Sequence, residues 1–168
     1  MRFLGNIEAK IDTKGRAFLP ATFRKILSAN GEETLVVRKD VFQSCLILYP
    51  ESTWIEQIDL LRSRLNRWDA QQQQLFRQFI SDAEQVSLDS NGRFLISKRH
   101  IQATNLKQSI RFLGMGDNIE IWNNEEYDKQ MLPQEKFSKG LQDIMSSGND
   151  KKGEVQSRYS ETTDMEKE

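Results

Sequence analysis

The chain has 168 residues, with 24 lysines and arginines against 25 aspartates and glutamates, and a mean hydropathy of −0.67. That composition suits one soluble domain, or two small units sharing a core. No run approaches the ~20 apolar residues of a membrane span, the start has no secretory apolar stretch, and a lone Cys45 leaves no intramolecular disulfide and fits a reducing cytoplasm.

In chain order, Ile7, Ala9 and Ile11 alternate with Glu8 and Lys10, the period-2 pattern of a half-buried strand. Asp12 to Gly15 predicts a tight reversal, and Ala17-Phe18-Leu19 a return strand. Pro20 is expected as the first helical position of a short helix to Leu27, with Phe23, Ile26 and Leu27 on one side and Asn30-Gly31 as its end. Thr34 to Arg38 and Cys45 to Tyr49 predict a second hairpin around Lys39-Asp40. Ser52 or Thr53 is expected to cap a helix from about Trp54. Trp54, Ile58, Leu61, Leu65 and Trp68 then recur at helical spacing as one apolar stripe. Asp69 predicts a fresh cap for a second helix through Ala83, with Leu75, Phe76 and Phe79 toward a core and Gln71 to Gln74 solvated.

The stretch Asp12-Thr13-Lys14-Gly15-Arg16 then returns as Asp89-Ser90-Asn91-Gly92-Arg93. An internal repeat decides the fold class before any single element does. Val86 and Leu88 match Ala9 and Ile11, Phe94-Leu95-Ile96 matches Ala17-Phe18-Leu19, and Ser97 stands for Pro20. Ile110 to Leu113 and Ile119 to Trp122 repeat the second hairpin. Trp122 answers to Tyr49 and Tyr127 to Trp54, so a short helix is expected after Trp122. The expected organisation is a first unit over 1–51, linking helices over 52–83, a second unit over 84–137 and a largely disordered tail over 138–168.

Asp-x-x-Gly is turn chemistry: the Asp carboxylate accepts backbone N–H groups, and Gly takes the left-handed position. Asp12, Gly15, Asp89 and Gly92 are therefore structural candidates. The turn does not demand the arginine that follows. Arg16 can pair with Asp12 across the turn, or face outward as a reader of phosphate or guanine, and both can hold at once. Charge distribution sharpens this, because residues 1–25 carry Arg2, Lys10, Lys14, Arg16, Arg24 and Lys25 against only Glu8 and Asp12. A basic head is hidden in the net charge of −1 by acids in the stretch from Asp150. Nothing points to catalysis or to a cofactor or metal. His100 has no partner residues for a triad or metal site, Cys45 has the apolar flanks of a buried thiol, and no phosphate-binding or nucleophile motif occurs.

These residues resemble the MraZ family of bacterial transcriptional regulators. The resemblance rests on Asp12 through Arg24 at the N-terminal position, on the second Asp89-x-x-Gly92-Arg93 motif and on Ile119-Glu120-Ile121-Trp122, and it covers about residues 1–145. It implies an α+β, β-rich fold of two tandem AbrB-like swapped-hairpin units joined by a helical pair. It further implies a ring-shaped homo-oligomer, cytoplasmic and nucleoid-associated. The implied activity is binding of double-stranded DNA at short repeated G-rich boxes in the promoter of its own division and cell-wall operon, usually as a repressor.

The family ties the motif arginine to DNA. Arg16 matches it, with Lys14 in the usual basic place beside it. Arg93 matches the second motif, but Asn91 replaces the basic residue and Ser97 the proline, so the second half is expected to contribute less to DNA. Lys10, Lys14 and Arg24 are the candidate phosphate contacts. The competing expectation is a protein-binding module of antitoxin type, because swapped-hairpin domains also occur in antitoxins whose tails wrap a toxin. An enzyme is not expected.

Overall fold

A computed structural model of the chain describes residues 1–147. The elements run β1 (Asn6–Lys10), β2 (Arg16–Phe18), α1 (Ala21–Ala29), β3 (Thr34–Lys39), β4 (Leu46–Pro50), α2 (Glu51–Arg64), α3 (Ala70–Ser81), β5 (Glu84–Ser87), β6 (Arg93–Leu95), α4 (Lys98–Ala103), β7 (Ser109–Gly114), β8 (Ile119–Asn123) and α5 (Asn124–Asp128). Helix and antiparallel sheet are mixed, as α+β predicts. The two repeats carry the same order: strand, turn, strand, short helix, hairpin, helix.

The repeats are not side by side. The large sheet has the order β1-β7-β8-β4-β3-β5. At its centre the equivalent strands β4 and β8 pair antiparallel, with Leu46 opposite Ile121 and Leu48 opposite Ile119. Each repeat then gives its first strand to the other's hairpin: β1 pairs β7, and β5 pairs β3. The second strands do the same, since β2 pairs β6 in a separate two-stranded ribbon. Between β1 and β2 only a single bridge remains, Ile11 to Ala17.

The exchange is driven by burial. On strands, alternate side chains face opposite ways. One face of the sheet offers Leu35, Val37, Leu46, Leu48, Ile110, Phe112, Ile119 and Ile121 to a core completed by Ala17 and Phe94 from the ribbon and by Phe23 and Leu27 from α1. Truncating one fully buried member such as Leu48 costs about 2–5 kcal/mol. On the opposite face, Val36, Tyr49 and Trp54 pack with Ile47, Ile58 and Phe79, and the Trp54 and Phe79 rings stack at 5.5 Å. The second repeat has the smaller version of that cover, Trp122 against Tyr127 at 6.2 Å, matching Tyr49 against Trp54 at 5.6 Å.

Several local expectations are corrected. Pro20 is the cap of α1, not its first helical residue: its ψ of 139° is extended, and its carbonyl accepts from Phe23 and Arg24. α2 starts directly after Pro50 with no side-chain cap; the Ser52 hydroxyl instead donates to Glu32. The stripe does not reach Trp68, because the helix stops at Arg64 and Trp68 is 96% exposed. Leu75 is 65% exposed rather than facing a core, although Asp69 does cap α3 by accepting from Gln72. α3 ends at Ser81, two residues early, where Asp82 turns to accept the Lys39 N–H.

Residues 1–129 form one unit. Beyond it, 134–147 is a helix with exposed Phe137, Leu141, Ile144 and Met145, so the expected disordered tail does not begin at 138. Apolar residues at spacings of four and three, with no Pro or Asn cluster to interrupt them, are enough for a helix. The rest of that tail, 148–168, lies outside the described residues.

Strand exchange makes each half incomplete. A fragment of residues 1–83 lacks β5, β6 and β7, the partners of β3, β2 and β1. Such a fragment is expected to be unfolded, or to self-associate so as to replace those partners. Circular dichroism with size-exclusion chromatography checks this, and a folded monomeric fragment contradicts the account.

Candidate nucleic-acid interface

Asp12 organises its turn through both carboxylate oxygens. Oδ1 accepts the backbone N–H groups of Lys14 and Arg16, each at 2.9 Å, while Oδ2 accepts from Arg16 Nε at 2.8 Å. Gly15 donates to the Asp12 carbonyl at 3.1 Å and Asp12 to the Arg16 carbonyl at 2.9 Å. Asp89 repeats the arrangement with Asn91, Arg93 and Gly92, its Oδ2 accepting from Arg93 Nε at 2.9 Å. The predicted turn and the predicted Asp–Arg pair are therefore one device.

Both glycines are needed. Gly15 has φ +85°, and a Cβ there would lie 2.8 Å from the Ile96 carbonyl; Gly92 has φ +80°, and a Cβ would run into the Arg24 guanidinium. The close approach is a mutual lock. Ile96 donates its N–H to Gly15, and Leu19 donates to Gly92, at 2.8 and 2.9 Å. Each motif loop thus ties itself to the end of the other repeat's ribbon strand.

The ribbon carries the functional candidates. Its inward residues Ala17 and Phe94 are in the core. Its outward residues are Arg16 and Phe18 on β2, and Arg93 and Leu95 on β6. Arg16 stands opposite Leu95, and Phe18 opposite Arg93. Asp holds each arginine at Nε, the Nη groups of both make no hydrogen bond to the described residues, and both side chains remain part-exposed.

The other expected residues are placed differently. Lys14 is exposed at the first turn, and Lys10 is exposed on edge strand β1 opposite Ser109. Arg24 projects from α1 over Gly92, part-exposed, with its Nε donating to the Leu19 carbonyl at 3.0 Å. The equivalent neighbour of Gly15 is Ile101.

Two basic residues escaped the sequence. A groove of ≈ 940 Å³ beside the first motif is lined by Lys14, Lys98 and Lys107, with Ile11, Ile101 and Gln108 among its walls. Lys98 and Lys107 come from the second repeat, 84 or more positions from Lys14, and only strand exchange brings them there. The repeat counterparts of Lys14 and Lys98 are Asn91 and Ala21, so the positive edge lies at the first motif. Cys45 is buried, its thiol pushed far above the ordinary range by burial and by the Glu120 carboxylate. Among the described residues no cluster of His, Cys, Asp and Glu can hold a metal ion, and no helix is long and apolar enough to cross a membrane.

The Arg16 N–H donated to Asp12, and the Arg93 N–H donated to Asp89, are the first causes that hold both carboxyls below the ordinary carboxylate pKa. A folded pKa below the unfolded one means stability present at neutral pH and lost as pH falls through the carboxylate range toward the folded value. Asp12→Asn should therefore be less stable than the parent at pH 7, with the difference shrinking below about pH 4. Urea melts at the two pH values measure it, and a difference that does not change with pH removes the ionic part of the turn.

The family profile described as "MraZ protein, putative antitoxin-like" matches the chain twice, over residues 2–78 and 79–145. A protein of Phocaeicola vulgatus named Transcriptional regulator MraZ is 54% identical over 149 residues, covering 89% of this chain and 97% of that one. Its namesake in Bacteroides thetaiotaomicron is 53% identical over 154 residues, covering 92% and 99%. At greater distance, the protein of that name in Pectobacterium carotovorum is 29% identical over 150 residues, covering 84% and 98%. Two consecutive matches to one profile are what a motif written twice requires, and with relatives above half identity across nearly the full length, the chain belongs to the MraZ family.

Proposed function

We propose that this chain is a sequence-specific DNA-binding transcriptional regulator that works as a repressor on repeated boxes in the promoter of its own division and cell-wall operon. The names of its relatives support transcriptional regulation. The observation that carries DNA binding is the ribbon, with two part-exposed arginines fixed at Nε by a carboxylate. A two-stranded β-ribbon fits the major groove of B-DNA, and a guanidinium fork matches the O6 and N7 acceptors of guanine. Lys14, Lys98, Lys107 and Lys10 supply phosphate contacts, which add salt-dependent affinity without sequence information.

In this function the exchanged strands make up a tandem swapped-hairpin pair, and copies of the chain close into a ring in the nucleoid of the cytoplasm. The ring supplies what one ribbon lacks. A few basic side chains give non-specific affinities of ~10⁻⁴–10⁻⁶ M, and linked sites raise binding by ~10²–10⁴-fold where geometry lets them engage together. The second reading, a protein-binding module of antitoxin type, is favoured by one observation, the exposed apolar face of helix 134–147.

Gel shifts on the DNA upstream of the gene separate the two readings. Arg16→Ala should lower affinity by the ~1–3 kcal/mol of a guanine contact with oligomer size unchanged, and Arg93→Ala should cost less. Equal losses show both halves reading alike, and a changed oligomer makes Arg16 structural. A fragment with one box should bind far more weakly than one with several at native spacing. Half a helical turn inserted between boxes, the full turn being ~10–10.5 bp, should cost almost as much. Equal affinity for all fragments at one salt concentration leaves a one-site binder. No preference for promoter over unrelated DNA leaves the protein-binding module.

A further inference from the structure

We propose that Phe18 and Leu95 are specificity residues that read thymine by contact with its C5-methyl group, beside the guanines read by Arg16 and Arg93; this rests on the DNA-binding function above. The ribbon's inward side chains, Ala17 and Phe94, are almost fully buried, yet Phe18 and Leu95 are each 57% exposed. They hold the same place in the two repeats, two residues after the motif arginine. A single exposed apolar residue needs no explanation. Two at repeat-equivalent positions on one short ribbon, each directly opposite a fixed arginine, form a pattern.

The occupant follows from the surface's own chemistry. Its outward face is two guanidinium groups and two apolar side chains in alternation, with the Arg93 Cζ 5.7 Å from the Phe18 ring centre. Duplex DNA presents the complementary set in its major groove, where guanine offers acceptors and the thymine methyl is the apolar group on the edge. Spacing agrees. Directly opposed side chains on a ribbon stand ~5 Å apart and i, i+2 side chains ~6.5–7 Å apart, against a base rise of ~3.4 Å. A guanidinium seated on a guanine therefore sets the neighbouring apolar side chain over a base one or two steps away. Because Asp12 and Asp89 hold the arginines, that offset is fixed rather than adaptable.

The test replaces thymine by deoxyuridine throughout the boxes of the promoter fragment, which removes the methyl and leaves every hydrogen-bonding edge intact. Full-length protein is titrated against both fragments and against scrambled DNA at one salt concentration. The expected result is a loss of about threefold to fivefold for each methyl contacted, with promoter preference retained. In Phe18→Ala and Leu95→Ala the thymine and deoxyuridine fragments should bind more nearly alike, each variant erasing its own share of the ratio, with circular dichroism and oligomer size as in the parent. Equal affinity of the unmodified protein for both fragments overturns the proposal alone, and needs no variant to fold. So does a full thymine-to-deoxyuridine ratio surviving in both variants. Weaker binding by Phe18→Ala without any deoxyuridine effect overturns it in favour of an apolar wedge between base steps. Failure of the unmodified protein to prefer promoter over scrambled DNA overturns the parent function with it.

Discussion

One carboxylate per repeat holds the proposed DNA-binding surface in place. Asp12 spends Oδ1 on two backbone N–H groups and Oδ2 on the arginine Nε, so the conformation of the turn and the direction of the arginine are set by a single side chain. As an exposed ion pair, the contact alone is worth little. Its importance lies in what it makes simultaneous. The turn must close for Gly15 to reach its positive φ, and Gly15 must reach it for its carbonyl to accept the Ile96 N–H. That bond, with its partner from Leu19 to Gly92, ties the two repeats together at the same place where the arginines emerge.

The repeat is symmetric in its backbone and asymmetric in its chemistry. Phe23, packed edge-on against Phe3, is answered by His100, which is fully buried and flanked by Asp82 and Glu84 at 3.5 and 3.6 Å. Burial would raise the pKa of both carboxyls, but the Lys39 N–H and the Arg99 guanidinium outweigh it at Asp82, and Arg99 does so at Glu84; both end below their ordinary values. A polar cluster thus fills one side of the pseudo-twofold where the other side has two rings packed edge to face. The cluster ties α4 to the segment entering β5.

Much of this was legible in the sequence, and the reasons for what was not are specific. The two motifs, the turns, the hairpins and the helix after Trp122 follow from local patterns, because turn chemistry and strand alternation depend on near neighbours. The exchange of β1 and β5 has no local signature: an alternating strand satisfies its pattern beside either hairpin, and only the shared core decides. Everything that depends on the exchange was therefore hidden, including the approach of Lys98 and Lys107 to Lys14 and the place of Arg24 over Gly92. Trp68 misled because the apolar period runs on past Arg64, where the helix ends and the chain turns extended at Leu65. The exposed pair Phe18 and Leu95 could have been found, since each repeat writes arginine, buried residue, apolar residue in the same order.

Arginine is the side chain this design requires. A lysine ammonium is one point of charge on a flexible stem; engaged with Asp12 it has nothing left to present, and freed from Asp12 it has no fixed direction. A guanidinium can be bound at Nε and still offer its far edge, so holding and reading do not compete. The ribbon that carries it is only three residues per strand, too short to be stable alone, and it persists because Ala17 and Phe94 belong to the main core. The outward face is thereby built directly on the main core. For the proposed role on DNA, a surface that meets a rigid duplex at fixed offsets needs that backing, since an error of one residue in register would turn every outward side chain inward.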